Sequence, residues 1–410
     1  MKTVMIANLV LLSFLLTTSC KSEIQNPSNH LDSLQIHESA LTIDTHLDIP
    51  IDLVSDPDYN LEVEHNPYKS GTKVDFPRMK KGGVDVGFFI VWTAQGKTDS
   101  EGFKKVKEKA DNILEVIKRN VNKSPSLAEL ANSTDDINRI VKLEKRAILI
   151  GLENGYPLGE DLKLVKKYYD DGVRYITLCH TEDNQLCSSS TDENEEMGLT
   201  NFGKEVISEM NKLGIIIDVS HVSDKSFYDI IKFTKAPVIA SHSNARSLCD
   251  HPRNMSDDML KTLAKNGGVV HVNFVNSYLK KQEENLGRDS AFAELKKNFD
   301  FDNMSKEERN KFHADMKQIN KEFPSNKATL KDVLDHIDYI VKLIGIDHVG
   351  IGSDFDGGGG LKGIFDSSEM GNITTGLIKR GYSEEDIKKI WGNNFMRVFK
   401  EVENYSSKKE

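Results

Sequence analysis

Short apolar runs, many of them β-branched, recur along the chain and alternate with segments whose apolar residues return every three or four positions. Eight runs read as strands: LTIDTH (41–46), VDVGFFIVW (84–92), AILIGLE (147–153), VRYITLCH (173–180), GIIIDVSH (214–221), PVIASHS (237–243), GGVVHVNF (267–274) and HVGIGSDF (348–355). They are nearly continuous in apolar character rather than alternating, the pattern of parallel strands covered on both faces. Helical spacing fills most of the gaps, as in EGFKKVKEKADNILEVIKRNV, GKEVISEMNKL, DKSFYDIIKFT, SDDMLKTLAKN and LKDVLDHIDYIVKLI. Ser256 before DDML supplies a typical polar cap. Eight such units predict an α/β fold, a closed TIM-like (β/α)8 barrel over residues 39–404. An open doubly wound sheet is the alternative, but no GxGxxG turn follows the first strand. The charged, helix-rich stretch near 279–329 reads as an insertion before the last strand, and 405–410 as a polar tail.

Polar residues close these apolar runs. His46 and Asp48 stand two apart at the end of the first, where extended backbone points both to one side. Glu153 closes the third run, His180 the fourth, His221 the fifth, His242 the sixth and Asp354 the eighth. In a barrel those ends converge on one rim, where active sites are built. Three carboxylates and four imidazoles, with no thiolate, suit zinc and similar divalent ions. One ion needs three protein ligands, so seven candidates favour two divalent ions sharing a carboxylate. Each residue alone reads more simply as structural: a strand-end His is usually just hydrogen-bonded, and Glu153 alone could cap a turn. Together, seven buried ionisable groups require a common partner.

Composition narrows the picture further. With 38% hydrophobic and 29% charged residues over 410 positions, the chain can bury one large core. The net charge of −10 and the lack of a basic stripe argue against a nucleic-acid partner. The start, MKTVMIANLVLLSFLLTTSC, has the basic, apolar and small-residue order of a secretory signal over residues 1–20, followed by a linker over 21–38. Cys20 after small residues resembles the lipidation site of a bacterial lipoprotein, although Thr17 departs from that pattern. An exported enzyme held to a bacterial membrane only by a lipid on Cys20 is the expectation for localisation. Cys179, Cys187 and Cys249 remain, with no CxxC pair and no disulfide framework, and a Cys179–Cys187 bridge stays open. The glycines of DFDGGGGLKG lack the GK[ST] ending of a phosphate loop and read as a turn. His271, His251, His336 and His348 read as structural, and Trp92 as pocket wall or core.

The stretches DTHLDIP, GLENG, RYITLCH, IIIDVSHVSD, PVIASHSNARSLCDHPRNMSDD, GGVVHVNFV and VGIGSDFDG, in that order, resemble the membrane (renal) dipeptidase family of zinc peptidases, family M19. The resemblance implies the same barrel and two zinc ions. It implies one ion on His46 and Asp48, Glu153 bridging, and the second ion on His221 and His242. It implies that His180 contacts substrate and steadies the tetrahedral intermediate, that Arg253 of HPRN holds the substrate carboxylate, and that Asp354 handles the proton. The implied reaction is hydroxide attack on the amide of a dipeptide with a free C-terminal carboxylate, and a homodimer is a further expectation. Asn154 stands where a smaller residue is expected, and TEDNQLCSSS after His180 is unusually polar. A related amidohydrolase acting on a lactam or other small amide is the competing enzyme reading; a Lys ending the fourth run would favour it, and His180 occupies that place. A non-catalytic peptide-binding lipoprotein is the competing non-enzyme reading, against which the full ligand set argues.

Overall fold

All eight expected strands form in a computed structural model, which describes residues 27–192, 197–299, 304–324 and 326–408. The strands are β1 (Ile43–Leu47), β2 (Val86–Trp92), β3 (Ala128–Leu130), β4 (Arg146–Glu153), β5 (Val173–Thr177), β6 (Ile216–Asp218), β7 (Ile239–Ala240), β8 (Val269–Val272) and β9 (Val349–Ile351). Every pairing is parallel, in the order β1-β2-β4-β5-β6-β7-β8-β9. The additional strand β3 flanks the start of β4 at Arg146–Ile148, below Ile150, where β5 begins to pair. The barrel closes through a Leu47–Phe355 bridge, with Asp48 N–H donating to Phe355 O (2.8 Å) and Asp354 N–H to His46 O (3.1 Å). The open doubly wound sheet is thereby excluded.

Side-chain alternation along β2 divides the core. Val86, Phe88 and Ile90 join Ala147, Leu149, Tyr175, Ile216, Ile239 and Val269 in one cluster, which the helix Asn394–Ser407 meets with Phe395 and Phe399. Phe89 and Val91 join the outer cluster with the helix Ser100–Asn122, through Ala110, Ile113 and Leu114. On β4 the parity of Ala147 and Leu149 places Glu153 on the barrel's inner side at its upper end.

Several boundaries differ from expectation. The linker expected over 21–38 is helical from Pro27 to Ser39. His37 in it is buried, with Nε2 2.8 Å from Gly82 O and Nδ1 2.8 Å from Thr374 Oγ1. This helix carries no apolar stripe, so periodicity missed it. The helix Asn394–Ser407 also runs into the expected polar tail. The signal segment and Cys20 lie outside the described residues, and among the described residues no helix is long and apolar enough to cross a membrane. Between β8 and the helix Leu330–Ile344 lie the helices Asn276–Leu279, Leu286–Lys297 and Lys306–Glu322. Lys306 and Arg309 reach Asp56 (2.7 Å) and Asp52 (3.0 Å) next to the helix Ile49–Ser55, so this segment leans over the rim beside β1.

Candidate metal centre

The upper rim gathers His46, Asp48, Glu153, His180, His221, His242 and Asp354. Their ligand atoms form three overlapping groups, each within 4.8 Å: His46–Glu153–His242, Glu153–His180–His221 and His46–Asp48–Asp354. Local backbone makes this possible. The β1–β2 register jumps between Asp44 and Leu47, turning the end of β1. His221 and Asp354 adopt positive φ (71° and 61°), strained for these residues and held by the surrounding loops. Gly357 has no substitute nearby: a Cβ there would overlap the carboxylates of Asp48 and Asp354. The glycine run after Asp354 is therefore a turn built for close approach, as its sequence suggested. The strands themselves are shorter than expected, so His180, His221 and Asp354 project from the loops just beyond β5, β6 and β9.

The distances test whether a cation fits. Glu153 Oε1 lies 3.0 Å from His221 Nε2 and 3.3 Å from His242 Nε2, and the two Nε2 atoms are 2.9 Å apart. Glu153 Oε2 points the other way, 3.5 Å from His46 Nε2, which is 3.4 Å from Asp48 Oδ2. Metal–ligand bonds of about 2.0–2.1 Å in tetrahedral geometry give ligand–ligand edges of about 3.3 Å. Both sets of edges fall near that value, and Glu153 offers one carboxylate oxygen to each set. Asp48 Oδ1 is also buried without a hydrogen-bond partner. The donor set of neutral nitrogens and carboxylate oxygens fits divalent ions of the zinc type.

Electrostatics point the same way. Burial, then neighbouring positive groups, holds the His221 and His242 imidazoles well below their usual pKa, leaving them neutral with lone pairs to offer. For His46 burial also lowers the pKa, but the Asp48 and Glu153 carboxylates outweigh it and raise the value well above normal. A cation there competes with a proton for the same lone pair. Burial opposes ionisation of Glu153, but His46, His180 and the hydrogen bonds from His221 and His242 keep it well below the usual carboxylate range. Burial and then Asp48 push Asp354 up to about 8.

Around this centre stand His180, Trp92 and Arg253. Burial lowers the His180 pKa, favouring the neutral ring. Trp92 Nε1 approaches His180 Nδ1 at 3.5 Å, so the Trp92 side chain belongs to the site wall. With Nδ1 accepting from Trp92, neutral His180 carries its proton on Nε2, and the ring lies beside Glu153 and His221. Arg253 is buried, donates to His242 O (3.0 Å) and Ser243 Oγ (3.4 Å), and lies 5.4 Å from the Tyr278 ring. Its Nε has no partner.

Sequence reasoning missed the residues that hold these groups. Tyr175 OH receives His46 Nδ1–H (3.0 Å) and donates to Thr45 O (3.1 Å). Asn273 Nδ2 donates to Asp354 Oδ2 (2.8 Å). Ser241 Oγ lies 2.7 Å from His242 Nδ1. The signal was a polar residue inside an otherwise apolar run, a group that must find partners once buried. Asn154 has φ 76°, a conformation that Asn tolerates better than most residues, and its side chain anchors Thr93 O, Gln95 and Asn184. His271, His251, His336 and His348 all bond to backbone groups, His251 and His336 as acceptors through Nδ1, away from the ligand groups. Cys179, Cys187 and Cys249 are free and buried, so the open Cys179–Cys187 bridge is not formed.

Comparison with known proteins agrees with this geometry. Residues 32–410 match the membrane dipeptidase family, peptidase family M19. The chain is 33% identical over 382 residues to the uncharacterized dipeptidase C965.12 of Schizosaccharomyces pombe, covering 90% of this chain and 82% of that protein. Among solved structures it is similar to the probable dipeptidase PvdM from Pseudomonas aeruginosa, at 28% identity and a TM-score of 0.79, over 93% of this chain and 100% of that one. The fold is also that of a metallo peptidase from Rhodobacter sphaeroides, liganded with a phosphinate mimic of the dipeptide L-Ala-D-Ala. That match has 20% identity and a TM-score of 0.71, over 88% of this chain and 99% of the other.

Proposed function

Since the chain belongs to the membrane dipeptidase family, peptidase family M19, we propose that it hydrolyses dipeptides carrying a free C-terminal carboxylate at a centre of two divalent ions, zinc by the donor set. The observation that carries the reading is Glu153, whose two carboxylate oxygens face two separate ligand sets, His221 with His242 and His46 with Asp48. Bound there, two divalent cations supply the charge that polarises an amide carbonyl and makes water acidic enough to attack near neutral pH.

The chain's own residues do the rest. Arg253, with an unpaired Nε–H at the rim, anchors the substrate's terminal carboxylate as a planar clamp. Neutral His180 offers Nε2–H to the oxygen that gains charge as the carbonyl becomes tetrahedral. Asp354 is fixed through Oδ2 by Asn273, leaving Oδ1 to take the attacking water's proton and return it to the leaving amine. For location, the apolar segment ending at Cys20 supports export and a lipid anchor on that residue; the mass of the mature N-terminus tests it.

The direct test is a panel of L,L- and L,D-dipeptides assayed on metal-replete and chelator-treated protein, with metal counted per chain. The expected result is hydrolysis that disappears with chelation and returns with zinc, at two ions per chain. Hydrolysis indifferent to chelation, or none on any dipeptide, overturns the reading.

A further inference from the structure

Asp218 ends β6 within the barrel, fully buried, and no site assignment above includes it. Its Oδ1 accepts the backbone N–H groups of Ser220 (3.0 Å) and Ser241 (2.8 Å). Its Oδ2 accepts the hydroxyls of Thr177 (2.6 Å) and Ser241 (2.6 Å). A hydroxyl has one proton to give. With the Ser241 proton on Asp218, Ser241 Oγ meets His242 Nδ1, 2.7 Å away, as an acceptor. The ring proton then sits on Nδ1 and the lone pair on Nε2, the atom that faces Glu153 Oε1 and His221 Nε2. His221 has no such support, since its Nδ1 is buried without a partner.

We propose that Asp218 is a positioning residue for the metal centre: through Ser241 it fixes the tautomer of His242 that can ligate a cation. The inference rests on the metal-centre reading above. Carboxylates that orient ligating histidines are a general feature of metal sites, and their loss costs about 10–100-fold in metal affinity. Here a serine hydroxyl stands between the two.

The chain of donors makes an unusual prediction. In Asp218→Asn the amide oxygen keeps the two backbone N–H bonds, so the amide nitrogen takes the place of Oδ2. It now donates to Ser241 Oγ, whose proton turns toward His242 Nδ1. The ring proton is driven to Nε2 and the ligand is closed. Ser241→Ala cuts the connection without imposing the wrong tautomer. Adding Ser241→Ala to Asp218→Asn should therefore restore binding, whereas two merely structural lesions would compound.

The experiment titrates full-length, metal-stripped protein with zinc against a chromophoric chelator, for wild type, both single variants and the double variant, with melting temperature recorded for each. Expected are two sites in the wild type, one of them weakened about 10–100-fold in Asp218→Asn, and tighter binding in the double variant than in Asp218→Asn. Asp218→Asn within twofold of wild type, or a double variant weaker than Asp218→Asn, overturns the proposal. Nitrogen-15 NMR of the wild-type imidazoles needs no variant: His242 protonated on Nδ1 supports the relay, and protonation on Nε2 overturns it. A wild type that takes up no zinc would instead remove the metal-centre reading itself, and the relay with it.

Discussion

Arg253 offers the sharpest test of substrate choice, because its proposed partner can be deleted from the substrate as well as from the protein. Its guanidinium is buried beside the candidate ligands, two nitrogens committed to His242 O and Ser243 Oγ and Nε without a partner among the described residues. A carboxylate entering there forms a buried, charge-assisted pair. Truncating one side of such a pair costs about 2–5 kcal/mol, which at about 1.4 kcal/mol per decade is roughly 30-fold to a few thousand-fold in kcat/KM. Arg253→Ala should lose that much against a dipeptide and almost nothing against the same dipeptide with its C-terminus amidated. Arg253→Lys should fall between, since an ammonium keeps the charge but not the planar fork. The assay is kcat/KM for acid and amide substrates on wild type and both variants, with metal content measured in parallel. Arg253 provides no ligand atom, so both ions should be retained. A preference for the free carboxylate that survives Arg253→Ala within twofold, or loss of metal in that variant, would refute the clamp.

Three further outcomes are expected. Glu153→Gln keeps the shape of the bridge but removes its charge, so metal content should drop below two per chain and dipeptide hydrolysis should vanish; full activity sinks the bridging role. Gly357→Ala forces the Asp48 and Asp354 carboxylates apart, and zinc titration should show weaker binding with the melting temperature of the metal-free protein little changed. His271 is buried, with Nδ1 bonded to Ala240 O and Nε2 without a partner, and burial pushes its pKa down to about 4. The unfolded chain protonates near 6.5 while the folded one resists, so stability holds above pH 6.5 and declines as pH falls toward 4, by up to about 3 kcal/mol. Denaturant unfolding at pH 7 and 4.5 should show that loss reduced in His271→Gln; parallel losses in both proteins would acquit His271.

The barrel was readable because burial on both faces leaves a blunt signature. Runs such as AILIGLE and GGVVHVNF have no solvent side, and each became a strand. What failed was extent and whatever lacks that signature. β3 is three residues, two of them only half-buried, and carries no run at all. The helix Pro27–Ser39 packs through His37 rather than through an apolar stripe. The strand ends were over-extended because VRYITLCH and GIIIDVSH stay apolar past the last ladder hydrogen bond, where the chain leaves the sheet but remains buried.

The same reasoning separates the ligands from the residues that hold them. Each candidate ligand closes an apolar run, so it stands out as a change of character. Tyr175, Thr177, Asp218 and Ser241 lie within the runs and look like tolerated exceptions. Yet an ionisable residue inside a strand buried on both faces is never a neutral choice, since leaving it unpaired costs several kcal/mol. Among the described residues no basic side chain bonds to Asp218, and four donors from β5, the β6 loop and the segment after β7 satisfy it instead. Those donors tie together the strands that carry His221 and His242. A polar interruption of an apolar strand, two to four residues before a strand-end histidine, is therefore itself a site signal, and IIIDVSH contains both parts of it.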